Sequence, residues 1–227
     1  MRKPEAVIFD MDGVLINSEP IHVEIEKKLF SKLGIEVPET VHHSYMGASN
    51  EFMYTDLQSR FNLPESVTSL MEQDDLFRSD YFNQLETVPV NDGLISLLNQ
   101  IKSAGLKMAV ATSSSPEIAT ILLNKCGIAH YFDVIVTTSE AGKSKPSPDV
   151  YLLAAKMTGV LPENCIVFED SPNGLLAAKS AGMYCVVIQS DNKIISELSG
   201  ADYLIQSFRE LTLPGLIEIF SVNQIVN

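Results

Sequence analysis

The chain has 227 residues, 45% of them hydrophobic and 20% charged, which is enough apolar content for a packed core plus a small inserted domain and too much for a disordered chain. Sixteen Lys and Arg against 29 Asp and Glu give a formal charge of -13 with no basic cluster, which argues against a nucleic-acid partner. The longest apolar runs, such as residues 184–188, fall far short of the ~20 residues that span a bilayer, so no membrane partner is expected.

The first apolar run, Ala6-Val7-Ile8-Phe9, reads as a strand. Asp10 and Asp12 interrupt it at once, so no signal peptide is expected and the predicted setting is the cytoplasm. Cys126, Cys165 and Cys185 are widely spaced, lack a CxxC pair and read as small buried hydrophobes. From about residue 17 to 89 the pattern is helical: Ile21, Ile25, Leu29 and Leu33 recur every four residues, with further helices predicted over 51–61 and 65–86. This segment is predicted to be a helical cap, inserted into a core made of residues 1–16 and 90–227.

In the remainder, strands are predicted over 107–111, 134–137, 165–168 and 184–188. They show little alternation, as suits strands buried on both faces of a parallel sheet. Between them run helical patterns over 93–104, 116–126, 148–158 and 174–181, each closed by a glycine. Strand alternating with helix specifies an α/β fold, a three-layer doubly wound parallel sheet. The insert is expected over the carboxyl ends of the strands, where open sheets of this kind bind ligands. The linkers at 17–20 and 87–89 each contain a proline and would act as stiff hinges for closure.

Chemistry concentrates at the strand ends. Phe9-Asp10-Met11-Asp12-Gly13 ends a buried strand in two carboxylates, and Gly13 allows the chain to turn. Phe168-Glu169-Asp170-Ser171-Pro172-Asn173-Gly174 ends another in paired acids before a helix. Carboxylates so placed repel unless protonated, paired or metal-bound. In an open parallel sheet these strand ends share one crevice, so Asp10, Asp12, Glu169 and Asp170 are expected to converge on a hard divalent cation, Mg²⁺. Solvated ends and helix caps stay open as the plainer reading. Thr112-Ser113-Ser114-Ser115-Pro116 offers hydroxyls and backbone N–H groups at a helix start, suited to an anion or to simple capping. Of Lys143 and Lys145, the second abuts Pro146 in a stiff loop and is the expected partner of a carboxylate and a phosphate.

Taken in chain order, DxD, Thr/Ser, Lys-Pro and Glu-Asp make the sequence resemble the haloacid dehalogenase superfamily of phosphohydrolases, in the branch with a helical cap after the first motif. The resemblance implies that Asp10 is the nucleophile that forms an aspartyl-phosphate. Asp12 would be the acid and base, its backbone carbonyl also a metal ligand. Asp10 and Asp170 would hold Mg²⁺, with Glu169 a ligand or the holder of a water in the ion's shell. Thr112, the backbone around Ser113 and Ser114, and Lys145 would hold phosphoryl oxygens. Dehalogenase chemistry is disfavoured, since dehalogenases lack the aspartate that Asp12 supplies.

Within the family, the motifs resemble those of β-phosphoglucomutase and of sugar-phosphate phosphatases. Ser18 and His22 match positions where the mutase has Thr and His supporting its acid/base aspartate, with a structural role for His22 equally open. Gly47 matches the cap glycine, and Asn50 stands where the mutase carries an arginine that grips a distal phosphate. Arg78 is a candidate substitute. The favoured reading is therefore a Mg²⁺-dependent phosphatase of a small phosphorylated metabolite, with a sugar phosphate expected. A phosphomutase is the alternative. A non-catalytic phospho-ligand binder is a third reading, opposed by the intact Asp10, Asp12, Lys145 and Asp170 set. The acidic surface is compatible with a monomer.

Overall fold

The structure is a computed structural model that describes residues 3–45, 49–189 and 198–223. Two compact units divide the chain, one formed by Met1–Asn17 with Thr87–Asn227 and the other by Ser18–Glu86.

The elements of Ser18–Glu86 are helices: α1 (Glu19–Lys32), α2 (Glu39–Ser44), α3 (Asn50–Phe61) and α4 (Val67–Gln84). Ser49 and Ser66 cap α3 and α4, each hydroxyl accepting from a backbone N–H three residues on. Leu29, Phe30, Tyr45, Met53, Tyr54, Leu57 and Leu70 form the apolar centre of this unit. Of the four-residue stripe, Ile25 and Leu29 are buried while Ile21 and Leu33 are half-buried.

The other unit carries strands β1 (Ala6–Phe9), β2 (Lys107–Thr112), β3 (Val134–Thr137), β4 (Cys165–Glu169), β5 (Tyr184–Ile188) and β6 (Tyr203–Ile205). They form a parallel sheet of order β3-β2-β1-β4-β5-β6. Its helices are α5 (Leu94–Ser103), α6 (Pro116–Lys125), α7 (Thr138–Ala141), α8 (Asp149–Thr158), α9 (Pro172–Ser180) and α10 (Leu213–Asn223). The order reverses at β1, and the crevice of a doubly wound sheet lies at the carboxyl ends beside that reversal.

Register brings the chemistry together. Phe9 pairs with Val110 of β2 and Phe168 of β4, so Asp10, Ala111 and Glu169 follow at one level. Phe9 stacks on Phe168 with ring centroids 5.1 Å apart, and β1 and β4 are buried throughout. The sequence patterns gave no strand at β6 and no helix at α10. The first is a three-residue edge strand held only by β5. The second opens Leu213-Pro214-Gly215, where Pro214 suits a first turn but Gly215 is a poor helix former. Cys165 and Cys185 are buried, Cys126 is half-buried, and all three are free.

Candidate active site

After Phe9 the backbone leaves strand geometry. Asp12 bridges to Ile16, and Gly13 takes a φ of +79° that an L side chain resists. Asn91 pins the turn, its Nδ2 donating to the carbonyls of Gly13 at 2.8 Å and Val14 at 2.7 Å. Glycine is also required by space, because a Cβ there would stand 2.1 Å from Oδ2 of Asp170. Gly13→Ala is therefore expected to displace the Asp170 carboxylate and to cost about 1–3 kcal/mol in backbone strain, read by urea denaturation.

Lys145 lies at the centre of the site. Its ammonium donates to Oδ1 of Asp10 at 2.6 Å, to Oε1 of Glu169 at 2.6 Å and to the Ala111 carbonyl at 3.3 Å. Those bonds occupy all of its N–H groups. Burial opposes the charge of Lys145, but Asp10 and Glu169 more than offset it and hold the ammonium above its ordinary range. Burial likewise pushes the Glu169 carboxyl up. Lys145, the Ser171 N–H and the Tyr151 hydroxyl reverse that, leaving it below the ordinary value. Asp10 goes the other way: burial raises it well above the usual range, Lys145 pulls it down, and Glu169 and Asp170 push it further up.

One ammonium thus faces several acids. Asp10, Glu169 and Asp170 each offer a carboxylate oxygen, and these oxygens lie within 4.8 Å of one another. An all-oxygen set of this kind suits a hard divalent cation. Asp12 departs from the expected four-acid convergence. Its carboxylate falls outside this group and accepts from Ser114 Oγ at 2.9 Å. The chain bends at Met11, so residue 12 does not follow residue 10 in the extended geometry that would align their side chains.

The loop after β2 is built on the same side-chain logic. Thr112 is buried, and its Oγ1 accepts from the Ser114 N–H at 3.0 Å. Ser113 is exposed, and α6 begins at Pro116. The structure therefore brings Asp10, Lys145, Glu169 and Asp170 into one cluster and joins Asp12, Ser114 and Thr112 in another chain of contacts.

His22, Asn50 and Arg78 meet within the helical unit. Arg78 is buried, and its guanidinium donates to Asp74 Oδ1 at 2.7 Å, to His22 Nδ1 at 2.7 Å and to Glu26 Oε1 at 3.1 Å. A guanidinium only donates, so His22 Nδ1 accepts and its ring proton sits on Nε2. Asn50 Nδ2 donates to Asp74 Oδ2 at 3.3 Å, and His42 pairs with Glu26 Oε2 at 2.6 Å. Arg78, the candidate partner of a ligand phosphate, is ion-paired with Asp74 and Glu26. Gly47 lies outside the described residues. Arg78→Met would leave Asp74, which is fully buried, without its cation, and is expected to cost about 3–5 kcal/mol in urea denaturation. The i,i+4 spacing of Asp74 and Arg78 is the signal that sequence reading passed over.

Two further residues were not picked out from the sequence. Asn91 gave no signal, since a single Asn beside a turn is common. Tyr151 sits in the apolar run Val150–Ala155, where a buried phenol must find a partner; its hydroxyl donates to Glu169 Oε1 at 2.7 Å.

A doubly wound parallel sheet with a lysine held between an aspartate after β1 and an acid pair ending β4 defines an α/β enzyme built around an acid–lysine centre. Among families, the haloacid dehalogenase-like hydrolases match residues 7–188, and the chain belongs to that family, as a phosphatase-type enzyme with phosphomutases among its relatives. It is 34% identical over 223 residues to a phosphorylated carbohydrates phosphatase of Thermotoga maritima, covering 98% of this chain and 97% of that one. It is 31% identical over 191 residues to a fructose-1-phosphate phosphatase of Escherichia coli, covering 81% and 95%. The structure of a β-phosphoglucomutase from Clostridium difficile is similar with a TM-score of 0.83 at 27% identity, covering 99% of this chain and all of that one.

Proposed function

We propose that the protein is a Mg²⁺-dependent phosphatase that hydrolyses a small phosphorylated metabolite, a sugar phosphate, through an aspartyl-phosphate on Asp10. The single observation that carries this reading is Lys145 bonded at 2.6 Å to both Asp10 and Glu169 beside Asp170. A nucleophilic carboxylate needs cations around it before it approaches a phosphate, and this cluster supplies one and has the donors for another.

Asp10, Asp170 and the carbonyl of Asp12 would hold the ion. Glu169 would support it from behind, since its Oε1 serves Lys145 and Tyr151 while its Oε2 accepts from the Asp170 N–H, the Ser171 N–H and the Ser171 hydroxyl. When bound, Mg²⁺ supplies positive charge that offsets the repulsion between carboxylate and phosphate.

Lys145 binds a phosphoryl oxygen by giving up its longest bond, the 3.3 Å one to Ala111, while keeping hold of Asp10. Thr112 and the N–H groups near Ser113 and Ser114 take the other oxygens. Asp10 attacks phosphorus. Asp12 protonates the leaving alcohol, then takes a proton from the water that hydrolyses the acyl phosphate. Its bond from Ser114 Oγ keeps that carboxylate apart from the acid cluster, as a group that must exchange protons requires.

Hydrolysis is favoured over phosphomutation because Asn50 replaces a cationic contact and Arg78 is neutralised by Asp74 and Glu26. Three free cysteines and an acidic surface agree with a monomer in a reducing cytoplasm. The test is incubation of the purified protein with a panel of sugar phosphates, with Mg²⁺ and with EDTA. Phosphate release that needs Mg²⁺ is the expected result. Isomerisation of β-glucose 1-phosphate would establish the mutase instead, and silence with either additive would leave a binder.

A further inference from the structure

Tyr151 is fully buried on α8 and makes two contacts with the cluster. Its hydroxyl donates to Oε1 of Glu169 at 2.7 Å, and the Lys145 ammonium stands 4.9 Å from its ring centroid. The ring face is a good neighbour for a desolvated cation, and the hydroxyl ties down the anion that shares it. Burial, reinforced by the charges of Glu169 and Asp10, pushes the phenol well above its ordinary range, so it acts as a donor.

The geometry around Glu169 shows what the hydroxyl adds. Oε2 is taken by Asp170 N–H at 2.8 Å, Ser171 N–H at 2.9 Å and Ser171 Oγ at 3.0 Å. Oε1 accepts from Lys145 and Tyr151 together, and those two donors use both of its lone-pair directions. The ammonium can then approach Glu169 along one direction only, and its remaining N–H groups turn to Asp10 Oδ1 and Ala111 O.

We propose that Tyr151 is a positioning residue, fixing the Glu169 carboxylate by its hydroxyl and so aiming the Lys145 ammonium at Asp10. Without the hydroxyl, Oε1 has a vacant lone pair that draws the ammonium off Asp10 and towards Glu169. The consequence falls on the reacting state more than on ground-state binding, because the ammonium must follow charge as it develops between Asp10 and the phosphoryl group. This step rests on the phosphatase reading; the alignment of Lys145 itself does not.

Tyr151→Phe keeps the ring and its volume and removes only the oxygen. With Mg²⁺ and a sugar phosphate, kcat is expected to fall about tenfold while KM stays within about twofold. A second readout needs neither metal nor turnover. In metal-free protein carrying ¹⁵N-labelled lysine, the Lys145 ammonium signal is expected to shift and its protons to exchange faster in Tyr151→Phe than in the wild type. In Glu169→Ala the signal is displaced already, and adding Tyr151→Phe should move it no further, which a general loss of packing would not reproduce. An unchanged Lys145 signal in Tyr151→Phe, or a further shift in the double variant, overturns the proposal. A wild type that releases no phosphate, but whose Lys145 signal responds to Tyr151→Phe only when Glu169 is present, overturns the phosphatase reading and leaves the positioning role standing.

Discussion

Asp10→Asn is expected to lower turnover by about 10⁴-fold or more while leaving the fold intact. A carboxamide is no nucleophile towards phosphorus, yet its oxygen can still accept the 2.6 Å bond from Lys145. The substitution also removes a charge that burial and the neighbouring Glu169 and Asp170 disfavour, as the raised Asp10 pKa records. Metal-free Asp10→Asn should therefore equal or exceed the wild type in stability near pH 7. Steady-state rates at saturating Mg²⁺ and urea denaturation in EDTA measure the two halves. A variant with near-normal turnover would remove Asp10 as the nucleophile, and a variant that fails to fold would contradict the account of its buried charge.

Lys145→Ala should be damaging in a different way. Turnover is expected to drop by about 10²–10³-fold through loss of a charged donor to the phosphoryl group. Stability should fall as well, by about 3–5 kcal/mol, because Asp10 and Glu169 are left buried without their cation. The sign of the pH dependence follows. Lys145 is the strongest influence lowering both carboxyls, so in its absence burial holds Asp10 still further above its unfolded value and pushes Glu169 up, opposed only by the Ser171 N–H and the Tyr151 hydroxyl. The native state then binds more protons than the unfolded chain, and its stability is lost as pH rises above the ordinary carboxylate range of about 4. Relative to the wild type, the deficit of Lys145→Ala should be smaller near pH 5 than near pH 8 in EDTA. An equal deficit at both pH values would mean that the cost is one of packing and not of charge.

The strands of the core were readable because they are buried on both faces. Ala6–Phe9 and Tyr184–Ile188 appear as unbroken apolar runs, and nothing in their surroundings contradicts the local preference. β6 was not readable, since three residues at a sheet edge with Tyr203 and Leu204 exposed carry little pattern. Among the site residues, Asp10, Glu169 and Asp170 stood out as acids placed where a buried strand stops, and Lys145 as a cation in a stiff loop before a helix. The partners of Arg78 were not readable because burial is invisible in a helix of mixed polarity; only the packing of α1 beside α4 shows that it pairs with Glu26 and Asp74.

The sequence by itself determined the parallel α/β core, the helical insert and the set of acids and hydroxyls at the strand ends, because hydrophobic period and residue type act locally along the chain. The tertiary structure alone decided how those groups divide their tasks. It sent Asp12 to Ser114, 102 residues away, placed Lys145 between Asp10 and Glu169, and set the Tyr151 hydroxyl against Glu169. The pairings of Asp10 and Asp12 depend on the register of β1 against β2 and β4, and those of Glu169 on the helix and loop that bring Tyr151 and Lys145 to the end of β4. Hydrogen-bond direction between residues far apart in the chain exists only once the sheet has formed.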